Sequence, residues 1–159
     1  MELLIKQRVF SWTDAYDIYD ANGDPRYYVR SKFFSLGHQF YVYDDRTDRE
    51  VGSIHQKLFS LMPTFEIRLF GQSMGFVRKK LTFFSQKYHV DYFGWDAEGD
   101  FLGWDYRVKD GERTVMTISQ KLLSWGDTYL LNIAKPTDEI PGLLLALAID
   151  AANCTEDNH

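Results

Sequence analysis

The residues best suited to bind an anion are five basic side chains that recur along the chain. They are Arg8, Lys32, Lys57, Lys80 and Lys121, separated by 24, 25, 23 and 41 residues. Basic residues at equivalent positions of a repeated unit would place several positive charges on one face of the fold. Such a surface is suited to phosphate groups, and the run Arg78, Lys79 and Lys80 is its densest point.

The candidate ligand-binding residues are therefore Arg78, Lys79, Lys80, Lys57 and Lys32. A simpler explanation exists, because basic strand residues commonly keep a sheet surface soluble and cover apolar neighbours with their stems. The net charge is −5, which gives no overall basic footprint for nucleic acid. The same net charge opposes contact with an anionic membrane.

The sequence gives little support for metal binding or catalysis. The histidines His38, His55, His89 and His159 have neither metal-ligand spacing nor a nearby nucleophile motif. Asp20, Asn22 and Asp24 resemble the start of a calcium loop. Such a loop needs a glycine and a glutamate where this chain has Pro25 and Ser31, so a turn is favoured over a looser calcium site. We expect no enzyme, no cofactor and no metal.

The basic residues belong to a longer repeat, which predicts the elements that hold them. An aliphatic residue lies three positions before each of the five, and another lies ten positions after it. An aromatic residue lies eight positions after each: Tyr16, Phe40, Phe65, Tyr88 and Tyr129. The alternating pattern on both sides indicates two strands per unit. The last gap is longer by about one hairpin, so five units and one added hairpin give twelve strands.

The stretch 138–153 is the element that these strands must enclose. Between residues 143 and 152 its only polar residue is Asp150. A helix that is apolar on every face must be buried on every face, and this run is shorter than the roughly 20 residues that span a bilayer. A barrel of twelve strands closes with an even count and is wide enough to need a filling. We therefore predict a mainly β fold, a closed antiparallel barrel of about twelve strands around a buried hydrophobic C-terminal helix.

The predicted organisation is a single β-barrel domain over residues 1–154, with its helix at about 138–153 and a polar tail over 155–159. One cysteine, Cys154, excludes an internal disulfide. We recognise no signal peptide, lipidation motif or transmembrane span, so we expect a cytoplasmic protein. Asp150 is interpreted either as a functional acid at the barrel mouth or, more simply, as a last-turn carboxylate that reaches a turn or water.

Two segments, 54–61 and 118–129, together with the closing residues 147–150, carry a resemblance to a known family. On these residues the chain closely resembles the bacterial branch of the LURP-one-related family, within the tubby C-terminal-like superfamily. The resemblance covers nearly the whole chain and implies a twelve-stranded barrel around a hydrophobic C-terminal helix. The superfamily includes phosphoinositide-binding tubby proteins and phospholipid scramblases, but for the bacterial branch the resemblance implies no established activity. The scramblases' proline-rich segment and cysteine cluster have no counterpart here.

The sequence thus predicts a non-enzymatic barrel of uncharacterised function, and the first hypothesis for it is binding of anionic phospholipid headgroups or another phosphorylated ligand or anion through a basic outer face. The alternative is a protein–protein interaction or scaffold module with an unknown protein partner and no lipid role. If a membrane is contacted, the sequence predicts contact by surface electrostatics and not by insertion. The reason is that the chain offers no span and no anchor, and its helix is already committed to the core.

Overall fold

The computed structural model describes residues 1–6, 15–34, 37–80, 87–99, 105–123 and 126–157. Within these residues twelve strands precede a single α-helix. The strands are β1 (Glu2–Lys6), β2 (Tyr16–Asp20), β3 (Pro25–Phe34), β4 (Gly37–Asp44), β5 (Glu50–Gln56), β6 (Thr64–Leu69), β7 (Gln72–Lys80), β8 (Lys87–Asp91), β9 (Asp96–Gly99), β10 (Asp105–Asp110), β11 (Arg113–Leu123) and β12 (Gly126–Ile133). A 3-10 turn (Pro136–Asp138) then leads into helix α1 (Glu139–Asp157).

The strands close into a barrel. Each strand pairs antiparallel with its neighbours in sequence, and β1 pairs with β12 to complete the ring. In the closing pair, Ile5 lies opposite Tyr129. The ammonium of Met1 donates to the carbonyl of Ile133 at 3.1 Å and extends this pairing. Closure satisfies the strand edges that would otherwise attract other chains.

The repeat seen in the sequence corresponds to the register in which neighbouring strands of the barrel pair. The aliphatic residues three before and ten after a basic position face each other across a hairpin, as Ile54 faces Ile67. The aromatic residue eight positions after it faces the aliphatic residue of the next unit, as Phe40 faces Ile54. Tyr88 is the exception, because it faces Ala97 in the added hairpin. The closing pair of Ile5 and Tyr129 follows the same rule. One pattern therefore builds the hairpins and also closes the ring.

Helix α1 fills the barrel. Residues 143–149 are all buried, so the helix is enclosed on every side, as its apolar sequence requires. It lies closest to β5, β6 and β7. On β5, a Cβ added to Gly52 would stand 2.4 Å from a methyl group of Leu144, so glycine gives the helix room there. The predicted fold class, a closed twelve-stranded barrel around a buried C-terminal helix, is confirmed.

The bounds of the helix differ slightly from the sequence-based range. The helix begins just after Asp138 and runs to Asp157, beyond the expected end at Asn153. No glycine or proline follows the apolar run, so nothing in the sequence stops the helix where the apolar residues end. Among the described residues, no helix has both the length and the apolar character that crossing a bilayer requires.

The two ends of the barrel are distinguished by the helix. At the helix-start end the chain passes from β12 into α1, and the turns there follow the even-numbered strands. At the helix-tail end the connections follow the odd-numbered strands. The position of a residue along its strand therefore decides to which end it belongs.

Candidate binding surface

Three of the five recurring basic residues have described side chains, and all three lie near the helix-tail end. Lys32 lies near the end of β3, Lys57 follows β5, and Lys80 ends β7. Each of these side chains is exposed. All of Arg8 and the side chain of Lys121 lie outside the described residues.

The run of three basic residues in β7 does not form one patch. Arg78 and Lys80 are exposed, whereas Lys79 is half-buried and lies opposite the buried Tyr88 of β8. Successive side chains of a strand point to opposite faces, so Lys79 shares the interior face with Tyr88. A hydrogen bond of 3.4 Å from the Lys79 amide to the carbonyl of Pro63 ties this part of β7 to the loop before β6.

Strand β8 contributes a lysine that the sequence reasoning missed. Lys87 lies directly opposite Lys80, and His89 lies opposite Arg78. We name Arg78, Lys80 and Lys87 the basic cluster. Among the described residues, neither Arg78 nor Lys80 has an ion-pair partner, and Lys87 reaches Glu98 only at 3.9 Å. The repeat held the missing signal, because the residue before the aromatic position lies opposite the basic position in other hairpins too, as Gln39 faces Lys32 and Thr128 faces Lys121.

Lys57 borders the basic cluster but is partly neutralised. Its amide donates to the carbonyl of Thr64 at 2.9 Å, and Thr64 pairs with Arg78, so Lys57 lies two strands from that arginine. Its ammonium lies 2.8 Å from Glu66, which also accepts a hydrogen bond from Arg68. Burial opposes ionisation of Glu66, but the bonds from Lys57 and Arg68 outweigh it and hold the pKa of Glu66 below its ordinary value.

Lys32 stands apart from the basic cluster. Its ammonium lies over the ring of Tyr41, 4.9 Å from the centroid. Strands β4, β5 and β6 separate it from Arg78, and four strand spacings amount to roughly 19 Å. The fold therefore brings Arg78 and Lys80 together, places Lys57 beside them, and puts Lys79 and Lys32 elsewhere.

A serine–histidine contact on the outer face of β5 is the nearest approach to a catalytic arrangement among the described residues. Ser53 Oγ lies 2.9 Å from His55 Nε2. A nucleophilic serine needs a base, a group that orients the base, and access for substrate. Ser53 is only 2% exposed, and the carboxylate of Glu66, opposite His55, is bound by Lys57 and Arg68. The arrangement fits a structural hydrogen bond.

The acidic turn after β2 is stabilised by hydrogen bonds between one of its own carboxylates and its backbone amides. Asp20 Oδ1 accepts hydrogen bonds from the amides of Asn22 at 2.9 Å and Asp24 at 3.0 Å. A short acidic side chain that binds the following amides is typical of a turn. Across the part of the chain that the structure describes, no three His, Cys, Asp or Glu side chains are arranged to hold a metal ion.

The start of the helix is fixed by a buried carboxylate that the sequence reasoning did not single out. Glu139 accepts two hydrogen bonds from the guanidinium of Arg26 and one of 2.9 Å from the Tyr27 hydroxyl. The hydrogen bond to Glu139 raises the pKa of Arg26. Burial, and then Glu139, raises the pKa of Tyr27. Beside it, Arg113 donates to Asp138 at 2.8 Å. These groups satisfy one another and anchor the helix to β3 and β11.

The tail of the helix is held by a second polar group. Asn153 accepts a hydrogen bond from the Tyr88 hydroxyl and donates one of 2.7 Å to the Tyr106 hydroxyl. The two tyrosines lie on β8 and β10. Both ends of the helix are therefore attached to the barrel wall by side-chain hydrogen bonds.

A small cavity lies beside Asp150, between the helix and the wall. Its volume of about 20 Å³ is enough for one water molecule. Tyr106, Tyr129 and Asn153 contribute to its lining. Within the described residues Asp150 makes no hydrogen bond, and burial raises its pKa to about 7. The helix continues to Asp157, so Asp150 does not lie in the last turn as the simpler sequence interpretation assumed.

An open groove of about 540 Å³ runs along β9, β10 and β11. Its lining includes the acids Glu98 and Asp105 and the bases Arg107 and Lys109. Charges of both signs lie side by side there, so the groove does not favour an anion. The basic cluster is the better anion site within the described surface.

Comparisons with known proteins identify similar sequences but no similar solved structure. The LURP-one-related family model matches residues 1–150. A relative described as "Uncharacterized protein YxjI", from Bacillus subtilis (strain 168), is 37% identical over 150 residues, which are 94% of this chain and 92% of the relative. No solved structure matches the chain. Neither the family description nor the name of the relative indicates an enzyme.

Proposed function

The chain belongs to the LURP-one-related family, and from that premise we propose that it is a non-enzymatic barrel that binds phosphate groups of anionic phospholipids on its outer face. The observation that carries the proposal is the basic cluster of Arg78, Lys80 and Lys87. Two of its members have no ion-pair partner among the described residues. Positive charges that the fold does not use internally are available to a ligand.

The two remaining exposed candidates have weaker parts in this proposal. Lys57 lies beside the basic cluster but shares its charge with Glu66, so it adds attraction mainly when an anion competes with that carboxylate. Lys32 is too far from Arg78 to contact the same phosphate. At low salt it adds to the long-range positive potential of this end of the barrel.

The expected affinity is low. Each well-placed lysine or arginine near an anionic leaflet contributes about 1 kcal/mol, so the three residues of the basic cluster contribute about 3 kcal/mol, roughly a hundredfold in affinity. The net charge of −5 opposes this attraction. Binding should therefore be reversible and should fade as salt rises, because charges are screened beyond about 10 Å at 0.1 M ionic strength.

The test is charge reversal of the basic cluster. The variant Arg78→Glu, Lys80→Glu, Lys87→Glu is compared with Arg46→Glu, Arg49→Glu, Lys135→Glu, whose three exposed residues lie at the helix-start end. Both variants change the net charge equally. We expect the first to lose co-sedimentation with phosphatidylglycerol-containing vesicles at low salt, and the second to bind more strongly than the first.

Thermal unfolding supplies the folding control, since all six substituted side chains lie outside the core and both variants should melt near the wild-type temperature. Equal loss of binding in the two variants would mean that overall charge, and not the basic cluster, governs attraction. A wild-type protein that fails to bind anionic vesicles at low salt would overturn the lipid proposal.

A second candidate function is a protein-interaction module. The observation that favours it is exposed apolar surface at the helix-start end, where Phe70 is 69% and Phe93 is 48% exposed. Large exposed apolar side chains commonly mark contact sites. The test is chemical cross-linking of the protein in its own cells, followed by mass spectrometry. A specific partner that is lost with Phe70→Ser, Phe93→Ser and kept with the reversed basic cluster would favour this function.

A further inference from the structure

The loop between β5 and β6, residues 57–63, carries an apolar tip. Phe59 and Leu61 are 103% and 104% exposed, which means that nothing in the described barrel covers either side chain. Leu58 is also exposed. We name Leu58, Phe59 and Leu61 the apolar tip. Scattered exposed apolar residues are ordinary, but three within four consecutive positions form a patch that gains from burial elsewhere.

The backbone of the apolar tip is also unfavourable for the isolated fold. Phe59 has φ +65°, in the left-handed region that bulky residues avoid. Asparagine or glycine would accept this conformation at lower cost. A phenylalanine that is strained and fully exposed contributes nothing to the core, so its side chain is better explained by a contact outside the barrel.

Positive charges lie beside the base of this tip. Lys57 directly precedes it, and Thr64, at its other end, pairs with Arg78. The hydrogen bond from the Lys79 amide to Pro63 holds the loop against the end of β7. Lys80, which ends β7, faces Lys87. The apolar tip and the basic cluster therefore lie at the same end of the barrel and on neighbouring strands.

Among the described residues, the helix-start end, away from the apolar tip, carries an excess of exposed negative charge. Its turns have seven exposed acids against the exposed bases Arg46, Arg49 and Lys135; the acids are Asp24, Asp45, Asp48, Asp91, Asp96, Asp110 and Glu112. They stand at the opposite end of strands up to eleven residues long. An anionic surface would therefore attract the helix-tail end near β7 and repel the other end. This orients the barrel so that the apolar tip faces the anionic surface.

We infer that the apolar tip inserts into the interfacial region of an anionic phospholipid bilayer while the basic cluster contacts the headgroup phosphates. This inference rests on the proposed function and names its partner as a bilayer surface. A soluble phosphate compound would use the cations and leave Phe59 and Leu61 in water. A bilayer interface takes both, because its phosphates lie just above its acyl chains. The inference departs from the purely electrostatic contact that the sequence predicts.

The first experiment removes the two fully exposed side chains of the apolar tip and keeps every charge. Phe59→Ser, Leu61→Ser is compared with Phe70→Ser, an exposed phenylalanine that also has a positive φ but lies at the helix-start end. Co-sedimentation uses vesicles of phosphatidylglycerol and phosphatidylcholine. We expect the tip variant to bind roughly tenfold to thirtyfold more weakly than wild type, and Phe70→Ser to bind within about twofold of wild type.

A second measurement separates insertion from folding. Phe59→Asn relieves the backbone strain, so it should melt at or above the wild-type temperature while binding vesicles more weakly. In the variant Phe59→Trp, phospholipids brominated on the acyl chain should quench the fluorescence of the added tryptophan. The quenching is measured relative to the tryptophan fluorescence of the wild type. Phe70→Trp should show no added quenching.

The outcomes distinguish this inference from the function on which it rests. If reversal of the basic cluster abolishes vesicle binding but the tip variant binds like wild type, insertion is excluded and electrostatic binding stands. If a soluble inositol phosphate displaces the protein fully and the tip variant is unaffected, the site takes headgroups alone, which also overturns insertion. If wild type binds no anionic vesicle at low salt, both proposals fail.

Discussion

At the scale of single residues, the polar groups inside this barrel differ in how they are satisfied. Glu139 has three donors from Arg26 and Tyr27, and Asn153 bonds to two tyrosine hydroxyls. Asp150 has no such partner within the described residues and faces a cavity that holds about one water molecule. An ionised carboxylate is costly in such a place, so burial raises its pKa to about 7.

The substitution Asp150→Asn tests this environment through pH. The folded pKa lies above the unfolded value, so the protonated acid favours folding below about pH 4, and this contribution is lost as pH rises to about 7. Full ionisation would cost at most about 4 kcal/mol. Asp150→Asn should therefore be more stable than wild type at pH 8 and nearly equal at pH 4. Urea unfolding at both pH values measures the difference.

The matched control is Asp45→Asn, in an exposed turn. It should change the free energy of unfolding little at either pH. If Asp150→Asn and wild type have the same dependence on pH, the carboxylate is hydrated in the folded protein and the cavity does not shield it.

The sequence could indicate which residue types would matter here but not which faces they occupy. The spacing of Lys32, Lys57 and Lys80 indicates equivalent positions in the repeat. The run of Arg78, Lys79 and Lys80 suggests a single patch, but alternate residues of a strand face opposite sides of the sheet. The importance of Lys87 comes from its pairing with Lys80 across a hairpin, which the linear order of the residues does not display. The role of Glu139 is equally hard to predict, because its partner Arg26 lies more than one hundred positions away along the chain.

At the scale of elements, strand β7 shows how tightly two neighbouring strands approach. Gly75 has φ +140°, and a Cβ added there would stand only 1.6 Å from the carbonyl oxygen of Asp91. Backbone cannot yield as a side chain can, so only glycine fits at this point. The paired register shifts one step away, between Ile67 and Arg68 of β6.

We expect Gly75→Ala to destabilise the protein by about 3 kcal/mol or more, because β7 and β8 must separate to admit the methyl group. Gly71→Ala is the control, since its φ is +82° but the space around it is open. That substitution adds only left-handed strain, about 1 kcal/mol. Thermal unfolding of the two variants compares them, and equal losses of stability would show that strain and not the clash dominates at Gly75.

Much of this element scale was predictable from the sequence, for a physical reason. The repeat fixes which residues meet across a hairpin, and period-2 alternation fixes which of them face the helix, so strand count and closure follow. The glycine contacts do not follow, because they depend on the distance between two backbones. The exposed conformation of Phe59 cannot be predicted from the repeat either, because the residues of a loop follow no periodic pattern.

At the scale of the whole molecule, the barrel and the helix depend on each other. The helix supplies a continuous column of buried side chains, among them Leu143, Leu144 and Leu145, and no other segment of the described chain runs through the interior. Its side chains and the inward residues of the strands form one hydrophobic cluster. Neither part can bury its apolar surface alone.

The substitution Leu144→Asp should therefore cost several kcal/mol and give aggregated or molten protein, because it places an unpaired charge in the core. Truncation before Asp138 should have a similar effect. Leu61→Asp changes the same residue type at a fully exposed position and should leave the melting temperature close to that of wild type. Circular dichroism melts and gel filtration compare the three, and a soluble truncated chain with a cooperative melt would show that the barrel does not need the helix.

The pairing of β1 with β12 has a consequence for how the protein is made in the cell. The ribosome produces β1 early, but the strand that completes the ring, and then the helix that fills it, come only after all the others. Until then the growing chain is an open sheet with its apolar face bare and an edge free to pair with other chains. Contacts that join distant parts of a chain also form slowly. Chaperone assistance during translation should therefore matter more for this protein than for a helical bundle of equal length.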